Sequence, residues 1–521
     1  MDLFIALKIS ALLLIFGFGY LSIILYTTQG KDEPYMIPSK LPFLESTVEL
    51  LRGKTAYLAN LKKKYRVPIF TLRMPGQRVY VVSGTQLVQS IQSKANASTF
   101  VANLLDFGIL FSGMSKDAKE VLKAGYSHGN QFTASVHKYL LFGPTLKAAS
   151  SIAVEKLTAG MQNGFASHEP IGLLETIQHQ LTLAMTGAVY GPANPFQDPE
   201  MESNWRIFVR GISHLVNSPV PWLTAPSAIR ARARLTRGFQ EYFQKGGHLQ
   251  AFAMVPEMHN NNIALGVPAD EMCKMEIATS LAMLSSGSIS SFWLLHHILS
   301  NQTILNACRS ELLALVTSTT SDTGVLVKSV DTSLIKAQCP TIMAMFYETF
   351  RYHSSVVSVK KVAHDTTLGS PSYALKKDAL VMIPGNFVHL DTNIWGHTAE
   401  VFDHTRFLAS ADAQKKLGTT TAFRPFGAGA TACPGRHFST NVILTLVAIV
   451  LLRFDVEAAD VDGEGKWILP PTKNADMWNA MPKPDHDVAV LIRPKQADKN
   501  VEYKFFWGNG ADGEKIADLD A

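Results

Sequence analysis

The longest uninterrupted apolar stretch of the chain lies at its start. Leu3 to Tyr26 reads LFIALKISALLLIFGFGYLSIILY, 24 residues with Lys8 as the single charge, and as a helix it would span about 36 Å, enough to cross a bilayer. The run ends in Ile-Leu-Tyr rather than in small residues, so residues 1–30 read as an uncleaved anchor, with an unusually long signal peptide as the alternative. Lys31, Lys40, Arg52, Lys54, Lys62, Lys63, Lys64 and Arg66 follow the run, against only Asp2 and Lys8 before or within it. That asymmetry predicts a single-pass protein with its body in the cytosol. Pro34, Pro38 and Pro42 stiffen a hinge over residues 31–45. In this orientation Asn96-Ala97-Ser98 and Asn301-Gln302-Thr303 are chance sequons.

Beyond the hinge, Tyr57 to Tyr65 has helical amphipathicity, and Ile69 to Arg73 and Val79 to Val82 alternate as two strands joined through Pro75-Gly76. From about 85 to 355 helical periodicity dominates, broken at Gly143-Pro144, Pro219 and Pro221, with few strand-like runs. Short strands return between Val356 and Pro384 and from Asp487 to Ile492. The pattern predicts a mainly α fold with minor β sheets, one domain over residues 46–505, and a polar, acidic tail over 506–521. Ser218 to Leu223, apolar and Pro-rich, precedes Arg230, Arg232, Arg234 and Arg237. It reads either as a loop dipping into the membrane beside a basic helix or as a buried loop beside a solvated face.

Composition adds little to this and excludes some classes. The 521 residues are 47% hydrophobic and 17% charged, which excludes disorder over most of the length. A net charge of +5 without a dense basic stripe gives no nucleic-acid signature, so no nucleic-acid partner is expected. The four cysteines, Cys273, Cys308, Cys339 and Cys433, form neither a zinc spacing nor a disulfide framework. Three of them read as small buried thiols.

Cys433 stands apart. Phe423 to Phe438 (FRPFGAGATACPGRHF) packs three glycines and two prolines around it and runs into an apolar helix, Val442 to Leu452. A thiolate ligand to iron needs such a setting. Glycines let backbone approach a flat macrocycle, amides can hydrogen-bond the sulfur, and a helix start lowers a thiol pKa. The loop resembles the haem-binding signature of the cytochrome P-450 family, with Phe426, Gly429, Cys433 and Gly435 at the matching positions. The resemblance implies the P-450 fold behind a single transmembrane helix, a haem b cofactor (iron protoporphyrin IX), Cys433 as its axial ligand and Phe426 packed against that cysteine.

A second motif agrees in order and spacing. Glu348 and Arg351 in Tyr347 to Arg351 (YETFR) lie on one helical face, where on their own they would read as an ordinary pair. Phe402 to Phe407 (FDHTRF) resembles the family's later Arg-containing segment, which implies a buried triad of Glu348, Arg351 and Arg406 that supports the fold. The resemblance covers the anchor, the hinge and residues from about 275 to 495.

Two positions depart from the family pattern. Thr431 stands where a basic residue usually holds a haem propionate, leaving Arg424, Arg436, His437 and the basic residues between Lys123 and Lys138 as candidates. In the helix Ile277 to Leu299, with Gly287 marking the register, Ile289 replaces the usual acid and Ser290 the usual threonine. Ser288 and Ser290, with Ser286 and Ser291, either position water for a proton relay or merely leave room for substrate.

The resemblance implies a monooxygenase of the endoplasmic reticulum membrane. It would take electrons from NADPH through a cytochrome reductase and oxidise a lipophilic small molecule, a terpenoid, alkaloid, polyketide or sterol-like compound, in secondary-metabolite biosynthesis. Loss of the acid is also a feature of members resembling sterol 7-alpha-hydroxylases and prostacyclin synthases. The alternatives are therefore a reductase-independent peroxide or endoperoxide isomerase, or a non-catalytic haem sensor or carrier.

Overall fold

The computed structural model describes residues 16–96, 98–102, 104–125, 133–218, 220–408, 423–428, 432–459, 465–496 and 501–508. Residues 1–15 of the expected anchor, the tail beyond 508, Gly429 and Thr431 lie outside them. The chain divides into two compact units. One comprises Met1–Asn103, Ser355–Ala399 and Thr421–Thr431; the other comprises Leu104–Ser354, Glu400–Thr420 and Ala432–Ala521.

The first unit is built on a six-stranded sheet. In spatial order its strands are Tyr35–Met36, Ile69–Met74, Gln77–Val82, Leu380–Pro384, Val357–Val362 and Phe100–Ala102. The expected hairpin is there: Ile69 pairs with Val82 and Met74 with Gln77 around Pro75-Gly76. Gly76 has φ +66°, the left-handed conformation that the position after Pro75 needs and that glycine adopts without strain. Ile69, Tyr80, Val82, Val381 and Ile383 bury their side chains in one cluster with Val88 and Ile91 of the helix Thr85–Gln92. Of the anchor, the described part is a helix, Phe16–Thr27, whose aromatic and aliphatic side chains are largely exposed. Its end is tied to the hairpin, since Arg78 Nη2 donates to the Thr28 carbonyl at 2.8 Å and Arg73 Nη2 to Thr28 Oγ1 at 2.9 Å.

The second unit is mainly helical. Its centre is Arg436–Arg453, buried on nearly every side and apolar on every face from Leu446 to Leu452, as a core helix must be. Gly143–Gly164 and Gly287–Leu299 pack against it, and Leu173–Tyr190 and Pro340–His353 pack against the latter. The Gly143-Pro144 breakpoint starts its helix, with Gly143 at φ +81° and Pro144 in the first turn, where its missing N–H costs nothing. Asn301, the asparagine of a chance sequon, caps Gln302–Ala314 by accepting from the Thr303 and Ile304 amides. Trp222 and Leu223 are exposed (68% and 64%), which removes the buried-loop reading of Ser218 to Leu223.

Two expectations need correction. Residues 316–331 form a hairpin, Val316–Thr320 with Leu326–Asp331, and Val501–Phe506 adds to it in parallel. The pattern of the first strand, Val-Thr-Ser-Thr-Thr, is polar on both faces and carries no apolar alternation, so periodicity could not reveal it. The stretch Ile277 to Leu299 is also not one helix. It is divided into Ala269–Leu284 and Gly287–Leu299 by a break at Ser285-Ser286.

Candidate active site

Glu348 and Arg351 sit on Pro340–His353 and are fully buried. Arg351 donates Nε to Glu348 Oε2 at 2.6 Å and Nη2 to Oε1 at 2.7 Å, a two-pronged pair. Its Nη2 also reaches the Val401 carbonyl at 3.1 Å, while the Asp403 amide donates to Glu348 Oε1 at 2.7 Å and Arg406 Nε lies 3.7 Å from the same oxygen. Burial pushes the Glu348 carboxyl up, and the Arg351 hydrogen bonds pull it back. The structure thus brings all three triad residues together, and the carboxylate ties the segment 401–406 to the helix.

The cysteine segment passes from the first unit to the second between Thr431 and Ala432. Within the second unit Cys433 is half-buried, three residues ahead of the first residue of the core helix Arg436–Arg453. The Gly435 amide hydrogen-bonds its sulfur. Arg436 turns back toward the cysteine, donating Nη1 to the Cys433 carbonyl at 3.0 Å, so its guanidinium braces the loop backbone. His437 and Phe438 are buried behind it. Burial pushes the Cys433 thiol up, against the Gly435 amide and the Arg436 charge, which pull it down. The expectation of a depressed thiol therefore fails for the protein alone, because desolvation outweighs the Gly435 amide and the Arg436 charge. A bound cation reverses that balance, since a coordinating thiol is deprotonated outright.

These residues fit a flat iron-bearing group. A Cβ on Gly435 would meet nothing within 4 Å, so one side of the cysteine turn is open space. In the first unit, the other half of the segment is a tight turn in which the Gly427 amide donates to the Arg424 carbonyl at 3.1 Å, with Gly427 at φ +80° and Phe426 half-buried. The remaining thiols are poor ligands: all three are buried, and burial drives Cys273 up to about 11 and Cys339 up to about 12. Among the described residues no cluster of three His, Cys, Asp or Glu could hold a metal ion.

The serine-bearing helix restarts at Gly287. Ser290 Oγ donates to the Ser286 carbonyl at 2.8 Å and Ser291 Oγ to the Gly287 carbonyl at 2.9 Å, so both hydroxyl protons return to their own helix. Ser286 Oγ reaches Asn479 Oδ1 at 3.2 Å. Ser288 is buried and has no hydrogen-bond partner among the described residues. Ile289 is 2% exposed.

Sequence reasoning stopped one residue short of a carboxylate. Glu276, on Ala269–Leu284, is buried and accepts from Tyr190 Oη at 2.9 Å; Ser280 Oγ lies 3.2 Å from the same phenol. Desolvation pushes Glu276 up to about 7. The apolar neighbours Met275 and Ile277 were the only available signal, and they mark burial without marking its partner.

A sequence model of the Cytochrome P450 family matches residues 282–473. The chain is 28% identical over 501 residues to cytochrome P450 monooxygenase nodJ of Hypoxylon pulicicidum, a match covering 93% of this chain and 95% of the relative. It is 25% identical over 502 residues to a cytochrome P450 monooxygenase of Gibberella zeae, covering 91% and 92%. Prostacyclin synthase of Bos taurus is 22% identical over 507 residues, covering 89% of this chain and 95% of its own.

Proposed function

We propose that the chain, which is similar over nearly its whole length to cytochrome P450 monooxygenases, is itself a monooxygenase of that family and oxidises a lipophilic small molecule in fungal-type secondary metabolism. Cys433 is the axial ligand of haem b, Gly435 and Arg436 shape and brace the turn that carries it, and Phe426 and Gly429 are assigned to the haem-binding segment by the sequence resemblance alone. The observation that carries this reading is the half-buried Cys433 with the Gly435 amide on its sulfur at the head of the core helix. When bound, the haem supplies the iron at which dioxygen is activated.

The chain's own residues do the rest. Glu348, Arg351 and Arg406 hold the 401–406 segment in place. Gly435 leaves space beside the cysteine, and the break at Ser285-Ser286 together with Ser288 provides the polar surface of an otherwise apolar helix. The relatives named monooxygenases over nearly full length support oxygen insertion, a reaction that needs two electrons from outside, which on this reading come from NADPH through a membrane-bound reductase. The apolar helix Phe16–Thr27 and the exposed Trp222 and Leu223 support attachment to the endoplasmic reticulum membrane, with the anchor crossing once and the body cytosolic.

The test has two arms. The reduced, carbon-monoxide-bound protein should show the strongly red-shifted Soret band of thiolate ligation, and Cys433→Ala should abolish it; retention of the band removes Cys433 as ligand. Microsomes should form product only with NADPH and reductase. Turnover of lipid hydroperoxides without NADPH would instead favour the isomerase reading, which rests on buried Ile289 in place of an acid.

A further inference from the structure

At the anchor end of the first unit lies a cleft of 440 Å³, lined by Arg73, Arg78 and Lys377 together with Ile24, Phe43 and Met74. Every residue that lines it belongs to this unit. The apolar run of the anchor ends at Tyr26, and Thr28, two residues on, also lines the cleft. On the anchor reading the cleft therefore opens at the depth where hydrocarbon gives way to lipid headgroups. Beside Ile24 and Phe43 in the chain, Ile23, Tyr26, Leu41 and Leu44 are all exposed, as side chains in contact with acyl chains would be.

The charge in the cleft is unbalanced. Arg78 Nε lies 3.2 Å from Glu33 Oε2, and Asp378, the one acid among the described lining residues, pairs with Lys361 at 2.7 Å. Arg73 and Lys377 have no carboxylate partner among the described residues. Arg73 donates Nη2 to Thr28 Oγ1 at 2.9 Å and Nη1 to Gln29 Oε1 at 3.4 Å, both neutral acceptors, and its Cζ stands 5.5 Å from the centroid of the Phe43 ring. Burial pulls the Arg73 pKa down, and the Arg78 charge adds to this. A half-buried guanidinium beside a second one is costly unless an anion completes it.

The cations are also held in position. Arg78 Nη2 is fixed on the Thr28 carbonyl, Gln77 Nε2 donates to the Asp378 carbonyl at 3.1 Å, and the Lys377 amide donates to Asp365 Oδ1 at 2.7 Å. Helix end, hairpin and the turn at Lys377-Asp378 are thereby locked together. Phe43 and Asp378 have φ of +63° and +64°, a left-handed conformation that is uncommon outside glycine and persists where the surroundings enforce it. Fixed donors of this kind suit a phosphate, because an arginine fork meets two of its oxygens and a lysine adds a point charge. A zwitterionic choline head would bring its own cation against three others, so the cleft selects for net negative charge.

We propose that this cleft binds the headgroup phosphate of a net-anionic phospholipid from the leaflet in which the anchor ends, through Arg73, Arg78 and Lys377. This rests on the membrane-anchor reading above.

The experiment reconstitutes the full chain in discs of phosphatidylcholine with a minor share of phosphatidylserine, and native mass spectrometry counts which lipid stays on the released protein. Phosphatidylserine should be enriched about fivefold or more over its share of the bilayer, the effect of a single nearby cation on an anionic head. Arg73→Gln and Lys377→Gln should each cut that enrichment by about threefold or more, and an excess of inorganic phosphate should not displace the lipid. Lys377 is exposed, so its variant reads the site even if Arg73→Gln loosens the helix end. No enrichment in the unchanged protein, the same enrichment in both variants, or displacement by free phosphate overturns the proposal. Alkaline carbonate extraction separates the two readings. Protein stripped from membranes removes the anchor and the site with it, whereas protein that stays with the membrane and shows no lipid preference removes the site alone.

Discussion

Ser290 Oγ donates to the Ser286 carbonyl at 2.8 Å, the same oxygen that accepts the Ser290 amide at 2.9 Å. The hydroxyl thus reinforces the first turn after the break at Ser285-Ser286, where the regular ladder has been lost. Its proton is committed, while Ser288 on the same turn has no partner among the described residues. The two serines are therefore separable. Ser290→Ala should lower stability by about 1 kcal/mol and leave turnover within about threefold. Ser288→Ala should leave stability within about 0.5 kcal/mol and lower the ratio of product formed to NADPH consumed. Urea titration and coupling measurements on both variants check this, and the reverse pattern would return the relay role to Ser290.

Glu348 joins two parts of the second unit through one buried carboxylate that accepts from Arg351, from the Asp403 amide and from the Arg406 side. Removing its charge leaves a guanidinium buried without compensation. Glu348→Gln should cost about 3–5 kcal/mol and yield protein largely lacking haem. Arg351→Lys should recover little, because an ammonium cannot donate two parallel bonds to the carboxylate. Chemical denaturation of the two variants, with haem content per chain, decides it; stability near that of the unchanged protein would show the pair to be dispensable.

Local signals in the chain reach as far as local physics does. Three-residue spacing in a helix is enough to put Glu348 and Arg351 on one face, and Pro75-Gly76 between alternating runs is enough for the hairpin. Neither tells what lies opposite. The Asp403 amide and the Val401 carbonyl come from 50 or more residues away, and nothing in their sequence marks a backbone group as a partner. The same holds for Asn479 at the serine break and for His389 behind Arg424, both polar residues whose neighbours only the fold supplies. The hairpin Val316–Thr320 with Leu326–Asp331 escaped because its first strand is nearly all exposed, so alternation had no core to report. Burial also reversed one electrostatic expectation, at Cys433, since sequence shows the helix start but not the desolvation.

Glu276 sets a pH dependence of the fold. Its carboxyl stands at about 7 in the folded protein, against 4.5 for the ordinary group, because burial disfavours the anion. Tyr190 donates to it, and Ser280, Tyr242 and Cys273 are the other polar or titratable groups around it. Between about pH 4.5 and 7 the folded chain keeps a proton that the unfolded chain has released, so stability falls as pH rises through that window. The loss is on the order of 3 kcal/mol once complete. Glu276→Gln, uncharged throughout, should be more stable than the unchanged protein at pH 8 and similar to it at pH 4.5. Equal stability differences at both pH values would show that Glu276 ionises without cost.

The histidine pair gives the opposite slope. His297 Nε2 and His353 Nε2 are 2.8 Å apart, so one ring donates and the other accepts, and the accepting nitrogen carries no proton. Phe402 stacks on His297 and Trp293 on His353, and both rings are half-buried. Burial holds His297 down to about 3 and His353 well below 6.5, with His296 and Arg351 adding positive charge around them. Their folded pKa values are depressed, so below about pH 6.5 the unfolded chain binds protons that the folded chain refuses. Stability is lost as pH falls, by up to about 1.4 kcal/mol per pH unit for each ring. Replacing both, His297→Phe with His353→Phe, keeps the stacking and removes the protonation. The double variant should flatten the fall in stability between pH 6 and pH 4 measured by urea denaturation, by about 2 kcal/mol or more across that interval. If the slope is unchanged, the acid sensitivity lies elsewhere and the two rings are protonated in the folded chain.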